Sequence, residues 1–304
     1  MATQTVDFEA VRTKLDDRHS FENIRNSPWF RDAVYDTFSD AEYQRRWRLT
    51  REKMARLGID VLIAGGGPSH WSFGGGMLWL SGHWEWHGMA AYVLFPREGE
   101  PTLLYGMAGT HIEAVRRAVS IKDVRPSRMG RFMQVAVERI KELGLENGTI
   151  GLSIIDPRFG DYLPVNQYND LRQGLPNAKI EFLGDFFHEF VMVKSPEEQQ
   201  RVEKAGELCA RAVRAIAEVA APGVRDYELA AAAGQAMLEG GGQIDFIILG
   251  STPMSSPHMI FGNPGPSGRA LQKGDLIMME LAAGYYGYTA QLGTPITVGE
   301  PTEE

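Results

Sequence analysis

The pentapeptide Lys194-Ser195-Pro196-Glu197-Glu198 divides this chain into two parts. A serine whose hydroxyl accepts from the amide three residues on, a proline at the first helical position and a glutamate reaching back to the serine N–H together satisfy the free amides of a helix start. A long helix therefore opens here, and its pattern runs to about Ala221, where Pro222-Gly223 ends it. Asp226 is placed to cap the next helix, YELAAAAGQAMLE, and Gly240-Gly-Gly-Gln243 leads to a strand at 245–250. The later segments Asp275-Leu-Ile-Met-Met-Glu-Leu, Thr289-Ala-Gln-Leu and Ile296-Thr-Val-Gly, with Gly284-Tyr-Tyr-Gly-Tyr between the first two, predict consecutive antiparallel strands.

Upstream, residues 1–38 are irregular but hold Phe21, Trp29, Phe30 and Phe38, too aromatic for a free tail, so they are expected to pack on a neighbour. Ser39-Asp-Ala-Glu42 reads as a capping box before a helix that Gly58 ends. A buried strand follows at Asp60-Val-Leu-Ile-Ala, then a hairpin of strands at 90–96 and 102–105 around Arg97-Glu-Gly-Glu-Pro101. Helical segments near 109–118, 129–143 and 165–174 alternate with strands at Thr149-Ile-Gly-Leu-Ser and Lys179-Ile-Glu-Phe-Leu, which predicts a layered α/β domain. The expected organisation is an extension, 1–38, an α/β domain, 39–190, and a second unit, 195–304.

The formal net charge of −8 offers no basic surface to nucleic acid or to an anionic membrane, and no segment is apolar enough to span one. The opening MATQTVDFEA has no apolar run of the signal-peptide kind, so a cytoplasmic location is expected. The single cysteine, Cys209, lies in an apolar helical pattern and is assigned to a buried position without a chemical role. Glycine triplets at 65–67 and 74–76 fit neither dinucleotide nor phosphate-loop spacing and are assigned to turns.

The second unit supplies more specific wording. Gly274-Asp275-Leu-Ile-Met-Met-Glu280, Gly287-Tyr288 and Ala290-Gln291-Leu292-Gly293-Thr294 follow the Lys194-Ser195-Pro196-Glu197-Glu198 linker in a fixed frame. In that frame the chain resembles the creatinase and aminopeptidase P family, whose pita-bread catalytic domain follows a smaller α/β domain. The resemblance implies a creatinase-type α/β domain followed by the first part of a pita-bread α+β domain. It also implies a hydrolase and a homodimer.

The two aspartates that hold a metal pair in the peptidases of that family fall on Glu280 and Gln291. A longer carboxylate and an uncharged amide make poor substitutes for two hard anionic ligands, so no metal is expected. A divalent ion, Mn, Zn or Fe, enters only if other residues replace the lost ligands. Ser256-Pro257-His258 and Glu280-Leu-Ala look most like the ectoine-hydrolase branch.

Candidate catalytic residues are accordingly His258, an imidazole able to shuttle a proton, and Glu280, a carboxylate in an apolar strand. Candidate substrate-binding residues are Gln291, Tyr288 and Tyr286, with Trp84 from the first domain. Trp84 belongs to the segment His70–His87, where four tryptophans, three histidines and a glycine triplet describe a ligand-facing loop. Leu80-Ser81-Gly82 occupies the family's Leu-Ser-Gly position there. The spacing of His70, His83 and His87 matches no helix-borne HxxxH or zinc-ribbon pattern.

The family supplies a further histidine and two glutamates from segments beyond this hairpin, so these 304 residues alone are expected to be inactive and to expose sheet edges. Three readings remain. The first is a C–N hydrolase acting on a small polar amide or amidine; the second is a metal-dependent Xaa-Pro peptidase acting on short peptides. The third is a non-catalytic homologue that binds or dimerises.

Overall fold

The computed structural model describes residues 35–66, 75–84, 90–156, 160–161, 163–258 and 265–302. The chain divides into two compact units, Met1–Val193 and Lys194–Glu304. Phe21, Trp29 and Phe30 of the N-terminal extension, and His70 and His87, lie outside the described residues.

In the first unit, helix α1 (Asp40–Leu57) begins where Ser39 accepts from the Glu42 amide at 3.2 Å, and closes on Gly58 at φ +68°. Glycine adopts that left-handed geometry without a Cβ clash. The Glu42 carboxylate turns to Arg45 and Arg46, at 2.8 and 2.7 Å. Arg46 is fully buried; besides Glu42 it has the Phe38 ring at 4.1 Å and the Trp79 ring at 4.7 Å. Pairing and ring contact together are what make a buried guanidinium tolerable.

The strands of this unit are β1 (Val61–Gly66), β2 (Ala91–Pro96), β3 (Thr102–Tyr105), β4 (Asp123–Pro126), β5 (Thr149–Asp156), β6 (Gly160–Asp161) and β7 (Lys179–Phe182). The sheet they form runs β4-β3-β2-β1-β5-β6, with β7 also beside β5. β2 and β3 make the predicted antiparallel hairpin, and β1 lies parallel to β5. The strands β1 and β2 are covered on both faces, which explains their unbroken apolar sequences. Helices α1 and α2 (Gly75–Ser81) bring Trp47, Met54 and Met77 against one face, joined by Val115 of α3 (Thr110–Ala118). Met133 and Ile140 of α4 (Phe132–Glu142) and Leu171 of α5 (Val165–Gly174) cover the other. A short helix, α6 (His188–Met192), ends the unit.

The assignment of the glycine triplets to turns is corrected by packing. Gly65 lies in β1, and Gly75 and Gly76 start α2. A Cβ on Gly65 would stand 2.5 Å from the Tyr92 ring, and one on Gly76 would stand 2.2 Å from the Phe187 ring. These two positions need glycine for close approach.

In the second unit, α7 (Pro196–Val219) carries the complete capping box: Ser195 Oγ accepts from Glu198 N at 3.3 Å, and Ser195 N donates to Glu198 Oε2 at 2.8 Å. Helix α8 (Asp226–Glu239) departs from expectation at its start. Arg225, not Asp226, is the cap residue, and its amide is satisfied by Glu228 at 2.7 Å. Asp226 is thereby free to turn inward, where Ser251 and Ser267 supply hydroxyl donors.

Strand β9 (Asp275–Tyr285) is central, with β8 (Gln243–Pro253) on one side and β10 (Tyr288–Gly293) and β11 (Ile296–Thr297) on the other, all antiparallel to it. The β9–β10 turn has Tyr286 at φ +47° and Gly287 at φ +82°, the doubly left-handed form that matches strand twist. One face of the sheet packs on α7 and α8, joining Leu208, Ile216, Leu229 and Met237 to Leu249, Ile277 and Leu281. Cys209 is buried in that core with its Sγ 3.1 Å from the Ala290 carbonyl, and burial pushes its thiol up, away from thiolate chemistry.

Candidate active site

Strand alternation sorts the residues of β9. Ile277, Met279 and Leu281 enter the core against the helices, so Leu276, Met278 and Glu280 lie on the opposite face. On β8, Ile248 stands opposite Glu280, and on β10 Gly293 does so from the other side. Gln291 pairs with Ala282, which places it diagonal to Glu280 on the same face. Its Nε2 donates to Glu280 Oε1. Two residues eleven apart in sequence are thus brought together, and no other hydrogen bond to the Glu280 carboxylate occurs among the described residues.

Thr252 shares this face, four residues along β8 from Ile248, which is roughly 13 Å at the usual strand rise. Thr252 Oγ1 accepts from the His258 amide at 3.1 Å, and His258 Nδ1 lies 3.1 Å from the Ser256 carbonyl. A carbonyl only accepts, so the neutral ring carries its proton on Nδ1 and leaves Nε2 as the basic nitrogen. The ring is exposed. His258 and Glu280 therefore belong to one sheet face but do not touch.

The remaining candidates are placed differently. Tyr288 is 8% exposed and donates its hydroxyl to Glu198 Oε1 at 2.9 Å. The Arg201 guanidinium lies over the Tyr286 and Tyr288 rings at 5.6 and 5.8 Å and donates to the Tyr286 carbonyl at 3.4 Å. These contacts fasten the β9–β10 turn to the first turns of α7. Trp84 is half-buried in the first unit, just after α2.

Sequence reasoning missed a polar cluster on the helix side of the sheet. Arg269 bonds both oxygens of buried Asp275, at 2.6 and 2.9 Å, and also Ser251 Oγ at 2.6 Å. Ser251 Oγ in turn donates to buried Asp226 at 2.7 Å. The bond from Arg269, helped by the Gln272 amide and by the charges of Arg269 and His258, outweighs burial and holds the Asp275 carboxyl below its usual range. The only signal available was the aspartate that opens the apolar run Asp275-Leu-Ile-Met-Met.

Comparison with known proteins agrees with this architecture. Residues 200–304 match the model of metallopeptidase family M24. The chain is 25% identical over 256 residues to an Xaa-Pro dipeptidase of Pyrococcus horikoshii, covering 83% of this chain and 64% of the relative. It is also 25% identical over 290 residues to an ectoine hydrolase of Halomonas elongata, covering 88% and 68%. In structure it superposes on an X-Pro aminopeptidase from Thermotoga maritima with a TM-score of 0.67 at 19% identity, covering 86% of this chain and 66% of that one. The chain thus spans about two thirds of the length of these relatives. A two-unit α/β chain with a pita-bread second unit is the class so defined. Its second unit matches the M24 family over residues 200–304, and most of the chain is similar to Xaa-Pro dipeptidase and ectoine hydrolase relatives.

The residues fit the metal pair that the M24 family name implies only poorly. One carboxylate and one amide occupy the two positions, and the amide points an N–H donor at the carboxylate. Among the described residues no group of three or more His, Cys, Asp or Glu is arranged to hold a metal.

Proposed function

We propose that the protein acts as an M24-type hydrolase that cleaves a C–N bond of a small polar amide or amidine without a dinuclear metal centre. The observation carrying this reading is the Glu280–Gln291 pair on the sheet face away from the helices. The Gln291 donor fixes one oxygen of Glu280 and leaves the other for a water or a substrate N–H. The Glu280 carboxylate serves as the proton acceptor. His258 presents Nε2 at the end of the same face, where it exchanges a proton with the far end of a substrate or with solvent. A homodimer is part of this reading, checked by sedimentation of the purified protein.

The test is hydrolysis of a panel of small amides, amidines and Xaa-Pro dipeptides by the gene product isolated from its native cell, with and without a chelator. Chelator-resistant turnover of an amide or amidine, lost about 100-fold or more in Glu280→Gln, is expected. The names of the dipeptidase relatives favour a second reading. Metal-dependent cleavage of Xaa-Pro dipeptides would establish it and overturn the first, and binding without turnover would overturn both.

A further inference from the structure

Ser251 and Thr252 are consecutive on β8 and therefore face opposite sides of the sheet. Thr252 holds the His258 amide, whereas Ser251 is held by Arg269 and Asp226. The register Thr252↔Leu276 and Pro253↔Asp275 sets Asp275 at the start of β9 beside the end of β8 that carries His258. Arg269, through its fork on Asp275 and its bond to Ser251, ties these two strand ends together. We propose that Arg269 and Asp275 form a positioning pair for His258, fixing the strand end that holds it and biasing its protonation with opposite charges.

The charged groups around this strand end come from three directions. Asp226 starts α8, preceded by Arg225, whose Nη1 donates to the Gly268 carbonyl at 2.6 Å. Arg269 and Lys273 belong to the connection between β8 and β9, with the Lys273 stem lying against Gly299. Asp275 opens β9. Asp226 and Asp275 are both buried, and the register partner of Asp275, Pro253, ends β8. The His258 charge is the smallest of the causes that lower the Asp275 carboxyl, and the Arg269 bond is the largest. This inference rests on reading His258 as the proton-carrying group, but its test needs no turnover.

The experiment is a pH titration of the full chain labelled with ¹⁵N-histidine, followed by long-range ¹H–¹⁵N NMR, with the His258 signals identified by their loss in His258→Gln. Asp275→Asn is expected to lower the His258 midpoint and Arg269→Gln to raise it, each by about half a pH unit. A purely structural role would instead move both variants the same way. Arg269→Lys keeps the charge and loses the fork, so the midpoint is expected to stay while the preference for the Nδ1–H tautomer weakens. Shifts of equal sign, or an unmoved midpoint in folded Asp275→Asn, overturn the proposal. Should Arg269→Gln fail to fold, Asp275→Asn and Arg269→Lys decide it by the same criteria. Absence of hydrolytic activity would count against the proposed function and leave this result standing.

Discussion

Tyr288 donates its hydroxyl to the Glu198 carboxylate at 2.9 Å, across 90 positions of sequence, and Glu198 spends its other oxygen on the Ser195 amide at 2.8 Å. One buried carboxylate thus serves both as the capping-box acceptor of α7 and as the anchor of the β9–β10 hairpin. Removal of the hydroxyl in Tyr288→Phe leaves a buried oxygen one donor short and is expected to cost about 1–3 kcal/mol. Urea denaturation of the two proteins measures it, and a change within experimental error would show that water replaces the phenol.

Ser195→Ala removes the side-chain acceptor for the Glu198 amide while leaving the glutamate's return bond possible. The expected loss is about 1 kcal/mol, read as a lowered thermal midpoint. Ser195→Asp, which restores an acceptor and places negative charge at the helix start, should recover most of it.

Gly76→Ala drives a methyl into the Phe187 ring, which stands 2.2 Å from the Cβ position. A cost of about 1–3 kcal/mol is expected. Because the clash is with one ring, adding Phe187→Leu should return part of the loss, so the double variant will be more stable than the sum of the single effects. Strict additivity in a denaturation cycle would place the strain elsewhere.

Acid should weaken the first unit in two stages. Burial lowers His83 from 6.5 to about 3, so it stays neutral in the fold; its stabilising share is complete above pH 6.5 and drains as pH falls towards 3. Burial pushes the Glu42 carboxyl up, but the bonds and charges of Arg45 and Arg46 win and bring it from 4.5 to about 2. Its contribution, on the order of 3 kcal/mol, is present above pH 4.5 and lost as pH falls towards 2. Stability measured by urea across pH 7 to 3 should therefore decline, and Glu42→Gln should flatten the decline only below about pH 4.5.

Much of the framework was legible before any coordinates because its signals are local. Ser195, Pro196 and Glu198 sit within one helical turn, Gly58 ends α1 on its own backbone angle, and the apolar runs of β2 and β3 flank a short turn. The frame Gly274–Thr294 likewise placed Glu280 and Gln291 in register, and the observed pairing brings them together. Strand β4 escaped notice because Asp123-Val-Arg-Pro126 holds a single aliphatic residue facing the core; its pairing with β3 makes it a strand.

What the amino-acid sequence determined by itself was most of the longer helices and strands, the break at Lys194 and the frame of the second unit, since helix caps, turns and apolar periodicity act over three or four residues. Tertiary structure alone decided where the polar side chains went. Asp226 abandons the cap for Ser251 and Ser267, Tyr288 turns to Glu198, and Arg269 locks Asp275 to Ser251. A buried polar group must find its partner wherever the packed faces bring one. Those faces are settled by the meeting of whole helices and strands, which no local pattern encodes.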